Sequence, residues 1–220
     1  MKNNWKKVML TGIGLTIAFV IWTVLIQTID VRTVGVNGTE IGFAEFNCWF
    51  HELTGVHMSI YTITDWLGLV PVFICIGFGV MGLGQLIKRR SLFKVDRDII
   101  FLGIYYVIVI LGYLIFEMIP INYRPILIEG RMEASYPSST TLLVLGVMPT
   151  LVEQLKRRVG NVRIKKMVII VAVGFSVFMV LGRLVSGVHW FTDIVGSILL
   201  SAGLFCYYKS SVSLVYENKN

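Results

Sequence analysis

The fold is decided by residues 167–208, which read MVIIVAVGFSVFMVLGRLVSGVHWFTDIVGSILLSAGLFCYY. Two apolar runs, 167–186 and 190–208, meet at a junction that carries Arg183, His189 and Asp193. An apolar run of about 20 residues is long enough to cross a bilayer as a helix. Ionisable groups are costly in or beside hydrocarbon, so three of them at one junction predict a functional site.

Four more apolar runs extend this pattern, at residues 8–28, 66–87, 98–119 and 138–155. Of the 220 residues, 55% are apolar, and the mean hydropathy is +0.76. The six runs use more than half of the chain and leave no room for a soluble catalytic domain. The sequence therefore predicts an all-α polytopic membrane protein with six transmembrane helices, in which residues 1–220 form a single integral membrane domain.

The net charge of +7 follows the predicted topology. Sixteen of the 20 Lys and Arg residues, Lys2 and Lys219 among them, lie in segments on one side of the six spans. The positive-inside rule makes that side cytoplasmic and places both termini there. Since the topology explains the charge, no nucleic-acid partner is predicted. We expect a multi-pass protein of the cell membrane with its site on the extracytoplasmic side, where Arg32, Arg124, Arg131 and Arg183 lie.

The outer segment 29–65 carries apolar residues at helical spacing, Phe43, Phe46, Phe50 and Leu53. This spacing predicts a helix that lies in the outer interface. Such a helix either lines a path for lipid entry or covers the outer ends of the other helices. Within the second span, Pro71 is expected to introduce a kink near the outer end.

The remaining candidate phosphate-binding residues flank the second outer loop. Arg124-Pro125 offers a planar guanidinium that suits phosphate oxygens, as Arg183 does, and Arg131 is a possible third cation. Pro137-Ser138-Ser139-Thr140 precedes the fourth span, where proline and hydroxyl side chains favour a helix start. A helix N-terminus presents free N–H groups and a positive dipole end to a phosphate, and the hydroxyls add donors.

His189 and Asp193 are four residues apart and share one helix face if the sixth helix has begun. A carboxylate in that position can hold the imidazole in one tautomer and stabilise its charged form. Imidazole titrates near pH ~6.5, so it is a competent neutral nucleophile under ordinary conditions. The junction therefore predicts a nucleophile beside two phosphate-binding arginines.

These residues resemble the motifs of the type 2 phosphatidic acid phosphatase superfamily of integral membrane lipid phosphatases. The first family motif is Lys, six residues, then Arg-Pro; Arg124-Pro125 matches, with Glu117 at the lysine position. The second is Pro-Ser-Gly-His; here Pro137-Ser138 matches and is followed by Ser139-Thr140. The third is Ser-Arg, five residues, His, three residues, Asp; here Arg183, His189 and Asp193 match, with Gly182 at the serine position.

The resemblance implies a mechanism. His189 would attack phosphorus and form a phosphohistidine, Asp193 would orient it, and water would then release phosphate. Arg124, Arg183 and the Ser138-Ser139 region would hold the phosphoryl oxygens. No metal and no organic cofactor is predicted, since no cluster of His, Cys and carboxylate residues has metal-ligand spacing.

The departures from the motifs bear on the substrate. The second-motif histidine donates a proton to the leaving group in the family, and the hydroxyl of Thr140 cannot do so at neutral pH. Loss of such help typically costs ~10²–10⁴ in rate. A phosphate that leaves a diphosphate has a second pKa of about 6 and needs no proton. The pattern therefore favours a lipid diphosphate, such as a polyprenyl diphosphate, over other membrane lipid phosphates.

Several alternatives stay open from the sequence. Glu117 either pairs with Arg124 or Arg131 or replaces the missing acid, and His51 and His57 lie on the correct side to donate a proton. The chain is either a lipid phosphatase or a non-catalytic relative that binds phospholipid headgroups. A lipid phosphotransferase, in which an acceptor hydroxyl replaces water, is a variant of the first. The oligomeric state is not predicted.

Overall fold

A computed structural model describes residues 4–217, and this part of the chain contains α-helices and no β-strand. The helices are α1 (Asn4–Thr28), α2 (Ala44–Thr54), α3 (Met58–Leu67), α4 (Leu69–Arg89), α5 (Arg97–Met118), α6 (Ser139–Arg158), α7 (Val162–Val185) and α8 (Phe191–Glu217). Every predicted apolar run forms a helix. The prediction of an all-α membrane fold is confirmed at this level.

Five segments of the described chain are long and apolar enough to cross a membrane: Trp5–Thr28, Met58–Arg89, Arg97–Met118, Val162–Val185 and Phe191–Tyr216. The predicted run 138–155 is not among them, although it forms α6. The reason is visible in its surroundings. Helix α6 packs against α4, α5, α7 and α8, and none of its large apolar side chains is exposed. A helix surrounded by protein does not need an apolar surface all the way round.

The boundary of the second predicted span is corrected by the structure. Residues 58–65, assigned to the outer segment from the sequence, form most of α3, which leads directly into α4. The break between the two helices lies at Gly68 rather than at Pro71 itself. A proline ring clashes with the carbonyl of the residue four positions earlier, here Leu67, which is the last residue of α3.

Helix α2 confirms the helix expected around Phe43–Leu53, and its contacts favour the role of a cover. The rings of Phe46 and Phe50 each lie 5.2 Å from the ring of Phe191, the first residue of α8. The buried amide of Asn47 donates to the hydroxyl of Thr192 at 3.0 Å. Helix α2 is therefore fixed to the start of α8.

Most basic residues of the described chain lie at the end of the bundle opposite the junction of α7 and α8. In the described chain they include Lys88 and Arg89 in the last turn of α4 and Lys156, Arg157 and Arg158 in the last turn of α6. Arg158 ties this end together, with Nη2 2.7 Å from the buried carboxylate of Asp98. The predicted cytoplasmic residues Lys2 and Lys219 lie outside the described residues.

The loop that leads into α6 is anchored by Tyr136. Its buried ring stacks on Phe19 of α1 at 6.1 Å and meets Phe116 of α5 edge-on at 5.8 Å, while its hydroxyl bonds that of Thr23 at 2.7 Å. The ring also lies against Gly196 of α8, where a Cβ would come within 2.4 Å of it. Tyr136 therefore joins α1, α5 and α8 just before α6 begins.

We predict that Gly196→Ala lowers the melting temperature of the purified protein in detergent. The added methyl group would press on a ring that neighbours on three helices hold in place, and overpacking of this kind costs about 1–3 kcal/mol. Gly174→Ala in α7 is the matched control, because a Cβ there meets no other atom within 4 Å. The control should be as stable as the wild type or more so, since alanine favours helices. A Gly196→Ala protein as stable as the control would contradict this packing.

Candidate active site

Arg183 lies in the last turn of α7, just before the α7–α8 junction, and only 1% of it is exposed. Its Nη2 is 3.1 Å from Oδ1 of Asp65 in α3 and also donates to the hydroxyl of Thr140 in the first turn of α6. Its guanidinium carbon lies 4.9 Å from the centre of the Tyr61 ring. Helices α3, α6 and α7 thus converge on this one cation.

The second arginine, Arg124, reaches the same ring from the α5–α6 loop. Its guanidinium carbon is 5.7 Å from the centre of the Tyr61 ring, and its Nη2 is 3.1 Å from Oε2 of Glu133. The two guanidinium groups are therefore at the same end of the bundle, as the sequence predicts. The ring of Tyr61 interacts favourably with both cations.

The α5–α6 loop positions Arg124 by folding back on itself. The amide of Arg124 donates to the carbonyl of Glu133 at 3.1 Å, and that of Ser135 donates to the carbonyl of Asn122 at 2.9 Å. The loop reverses at Glu129 and Gly130, which both have positive φ. This pairing sets Arg124 beside Glu133 and brings Asn122 and Ser135 to the junction of α7 and α8.

His189 lies in the junction itself and is 3% exposed. Its Nδ1 is 3.1 Å from Oγ of Ser135, and that hydroxyl donates to Oδ2 of Asp193. Because Ser135 uses its proton on the carboxylate, it must accept the N–H of His189 Nδ1. The lone pair of the imidazole is then on Nε2.

Asp193 orients His189 mainly through this serine. The direct distance from Oδ2 to Nδ1 is 3.8 Å, longer than a hydrogen bond. The carboxylate is itself fixed, since Oδ2 accepts from the amide of Trp190 at 2.9 Å and Oδ1 accepts from Asn122 at 3.3 Å. The sequence analysis identified Asp193 but missed the intervening hydroxyl.

Five nitrogen atoms of Arg124, Arg183 and His189 have no hydrogen-bond partner within the described chain. They are buried and make no hydrogen bond: Nε and Nη1 of Arg124, Nε and Nη1 of Arg183, and Nε2 of His189. Buried polar groups left in this state cost about 1–3 kcal/mol each. Four cationic donors beside one imidazole lone pair form an arrangement suited to a phosphoryl group that carries about −1.5 to −2 charge.

Burial lowers the pKa of His189 to about 4, and the nearby charges of Arg124 and Arg183 act in the same direction. The negative charge of Asp193 opposes this shift of the His189 pKa without cancelling it. The imidazole is therefore neutral over the whole physiological range. A neutral imidazole with a free Nε2 lone pair is the form that can act as a nucleophile.

The turn that carries His189 is fixed by the outer segment. Gly187 has φ of +70°, and a Cβ there would lie 2.1 Å from the carbonyl oxygen of Gly55. His51 Nε2 is 3.1 Å from the carbonyl of Gly187, and the amide of His57 donates to the carbonyl of Ser186 at 3.0 Å. His51 therefore contacts the backbone of this turn, and His57 Nε2 contacts the carbonyl of Thr54 at 2.8 Å.

The residues of the second motif differ from one another in their surroundings. Ser138 is fully buried, with its hydroxyl donating to Thr141 at 3.1 Å and its amide donating to the Asp193 carbonyl at 3.4 Å, so both donors are used within the protein. Ser139 and Thr140 instead begin α6 and line a cavity of about 460 Å³ between α4, α5 and α6. Pro137 is buried beside them.

The other predicted site residues lie further out. Pro125 is half-buried directly after Arg124, while Arg131 and Glu117 are exposed, and neither makes an ion pair within residues 4–217. The carboxylate that contacts Arg124 belongs to Glu133 rather than Glu117. The expected pairing of Glu117 with Arg124 is thus not seen.

Sequence reasoning missed Asp65, Tyr61, Glu133, Ser135 and Asn122. A signal existed for Asp65, because it is a carboxylate directly before an apolar run. The other four are ordinary residues of polar segments, and only the folded chain reveals their contacts with the arginines and with His189.

Comparisons with known proteins show the family and the fold. The family model of the PAP2 superfamily matches residues 11–215. The fold resembles the crystal structure of a transmembrane PAP2-type phosphatidylglycerolphosphate phosphatase from Bacillus subtilis, with a TM-score of 0.67 and 19% identity. The match covers 93% of this chain and 97% of that chain, and at this identity it shows the fold alone. No curated protein sequence matches the chain.

We predict that His189 stays neutral from about pH 8 down to about pH 5, because its lowered pKa of about 4 favours the uncharged ring. The measurement is an NMR titration of the imidazole signals of the purified protein in detergent. The chain has 3 histidines, so His189→Gln identifies the relevant signal by its loss. A signal that disappears in this variant and titrates near the ordinary value of ~6.5 would contradict the buried geometry.

Proposed function

The chain belongs to the PAP2 superfamily, and from this premise we propose that it is a membrane lipid phosphatase that acts through a phosphohistidine. Its substrate is a lipid phosphate or diphosphate of the bilayer. The observation that carries the proposal is the free Nε2 of buried His189 beside four unpartnered guanidinium nitrogens. We further propose that the whole chain forms one integral membrane unit.

In the proposed reaction, Nε2 of His189 attacks phosphorus and the bond to the leaving oxygen breaks. Arg124 and Arg183 hold the phosphoryl oxygens, and their charges are placed where negative charge spreads in the transition state. Ser135 accepts the N–H of Nδ1 while Asp193 accepts from Ser135, which stabilises the positive ring that forms. Water then attacks the phosphohistidine and releases inorganic phosphate.

A lipid substrate is supported by the cavity beside the site. Its wall has a polar end formed by Asp65, Ser139 and Thr140 and an apolar remainder that includes Val72, Val109, Ile110, Leu142 and Leu143. A headgroup at the arginines would leave its hydrocarbon chain next to this space. The cavity lies between helices that face the bilayer, so a lipid need not enter the water.

The proposed preference is for a polyprenyl diphosphate. The hydroxyl of Thr140 receives a hydrogen bond from Arg183, and a threonine has no proton to give a departing oxygen at neutral pH. A leaving phosphate tolerates this, since its second pKa is about 6. An alkoxide leaving group does not, because its conjugate acid is roughly as weak as water.

We propose six spans, with both termini in the cytoplasm and the site on the extracytoplasmic face of the cell membrane. Helix α6 has 20 residues. At 1.5 Å per residue it is about 30 Å long, which matches the thickness of the hydrocarbon core. When α6 is counted as a span, successive spans run in opposite directions across the bilayer. The basic helix ends then share the face opposite His189, in agreement with the positive-inside rule.

We predict that the purified wild-type protein releases phosphate from a polyprenyl diphosphate and that His189→Gln lowers this rate by roughly 10⁴-fold or more. The variant lacks the nucleophile but keeps a polar side chain of similar size. Phosphate release is measured on a panel that also contains phosphatidate and phosphatidylglycerol phosphate. His57→Gln is the control, since this exposed imidazole contacts only a backbone carbonyl through its ring.

The panel separates the competing functions. A clear preference for phosphatidate would end the diphosphate proposal and leave the phosphatase in place. A wild type that is inert on every member would instead favour a protein that only binds lipid headgroups.

We predict that a cysteine at Glu129→Cys reacts with a membrane-impermeant maleimide in intact cells, while one at Lys94→Cys reacts only after permeabilisation. Both positions are exposed, and they lie at opposite ends of the bundle. The labelling is compared in a background in which the 3 native cysteines are replaced by alanine. The reverse pattern would place the site in the cytoplasm.

A further inference from the structure

Asp65, in the last turn of α3, is a carboxylate of the site that the proposed reaction does not use. Its Oδ1 is 3.1 Å from Nη2 of Arg183, the same nitrogen that donates to Thr140, and its side chain is 55% exposed. We propose that Asp65 is the general base that takes a proton from the water that hydrolyses the phosphohistidine. This inference rests on the proposed function.

The position of Asp65 depends on two glycines. A Cβ at Gly182, directly before Arg183, would lie 2.7 Å from Cγ2 of Thr64, so the bare backbone of α7 lets α3 approach closely. A Cβ at Gly68 would lie 2.8 Å from the carbonyl oxygen of Asp65 and 3.4 Å from Cγ2 of Thr140. The contact at Gly182 lets the end of α3 lie against α7, and the contact at Gly68 places it beside the start of α6.

The location fits the route of the water. In phosphoryl transfer the attacking and leaving groups lie roughly in line, on opposite sides of phosphorus. The leaving group of the first step therefore departs away from His189, and the water of the second step enters from the same direction. Asp65 lies with Ser139 and Thr140 at the polar end of the cavity that would hold the lipid. Departure of the lipid leaves water in contact with this carboxylate.

The ion pair between Asp65 and Arg183 suits this half-reaction. A carboxylate paired with an arginine can accept a proton, but it has none to donate. Asp65 can therefore take a proton from water in the second step, but it has no proton for the leaving group of the first step. This agrees with a diphosphate substrate, whose departing phosphate leaves without protonation.

In the hydrolysis of the phosphohistidine, one bond to phosphorus forms and one breaks. The water oxygen forms the new bond to phosphorus while one water proton moves to a carboxylate oxygen of Asp65. The bond between phosphorus and Nε2 of His189 breaks, and its electron pair returns to Nε2. Hydrogen phosphate leaves, and Asp65 then loses its proton to the solvent.

The other carboxylates of the site are less suitable. Asp193 is fully buried, and both of its oxygens already accept hydrogen bonds, from Asn122 on one side and from Ser135 and the Trp190 amide on the other. Glu133 pairs with Arg124 and is absent from the lining of the cavity. Asp65 alone among these three combines contact with a site arginine and a place at the cavity.

The test uses farnesyl diphosphate labelled with ³²P at its terminal phosphate, with purified Asp65→Asn in detergent. The amide can still accept a hydrogen bond from Arg183 but cannot take a proton. We expect a burst of farnesyl monophosphate close to one equivalent of enzyme, followed by turnover slowed by ~10²-fold or more. The labelled phosphate should accumulate on the protein as an acid-labile, alkali-stable adduct that the wild type does not accumulate.

Three further variants serve as controls for the Asp65→Asn experiment. Glu129→Gln removes an exposed carboxylate from the α5–α6 loop and should behave like the wild type. Asp65→Glu, which keeps the carboxylate, should recover part of the turnover and lose the adduct. Glu133→Gln should accumulate no adduct, because its carboxylate is not the base. Melting temperatures of all variants check that each one is folded.

Four outcomes would overturn the inference. The first is Asp65→Asn turnover at the wild-type rate. The second is slowed turnover with neither burst nor adduct, which would mean that Asp65 only positions Arg183 before the first transfer. The third is an adduct in Glu133→Gln and not in Asp65→Asn. The fourth is a wild type that releases no phosphate, which would overturn the proposed function and this inference with it.

Discussion

The burial of two arginines against one tyrosine ring is the constraint on which the site depends. Arg183 and Arg124 repel each other and lose hydration, and an unpaired buried cation costs several kcal/mol. The face of Tyr61 and the carboxylates of Asp65 and Glu133 offset part of this cost. Each carboxylate contacts only Nη2, so the remaining nitrogens keep their affinity for an anion. Each arginine is formally balanced by one carboxylate, but its Nε and Nη1 make no hydrogen bond within the described chain, and the proposed phosphoryl group would bind there.

The sequence predicts most of the fold, because hydropathy and length are local properties. All six apolar runs form helices, and the third run, 98–119, agrees with Arg97–Met118 within one residue. The spacing of Arg183, His189 and Asp193 also predicts that these residues meet at the junction of α7 and α8, while the role of His189 as nucleophile stays a prediction. The predictions from sequence fail where contacts between residues far apart in the chain determine the structure. Tyr61 and Asp65 interrupt the apolar pattern of α3 because they contact the site arginines, and Thr64 does so where it packs against Gly182 of α7. Ser135 acquires its place only when the α5–α6 loop folds back.

The departures from the family motifs occupy connected positions in the structure. Gly182 lies against Thr64, and Thr140 shares Nη2 of Arg183 with Asp65, so both altered residues adjoin the end of α3. Ser139 lines the same cavity as Asp65 and Thr140, while Glu117 is exposed and apart from them, and nothing in the structure explains it. Two of the four departures, Gly182 and Thr140, therefore lie together around Arg183.

The burial of α6 has a consequence for how the chain enters the bilayer during synthesis. The insertion machinery admits segments by their apolar character, and α6 carries Thr150 and Gln154, which bond Tyr106 of α5 and Tyr208 of α8. One of these partners is made before α6 and the other long after it. As a span, α6 would gain the partner of Gln154 only after α8 has been made, so its native contacts depend on the order of synthesis.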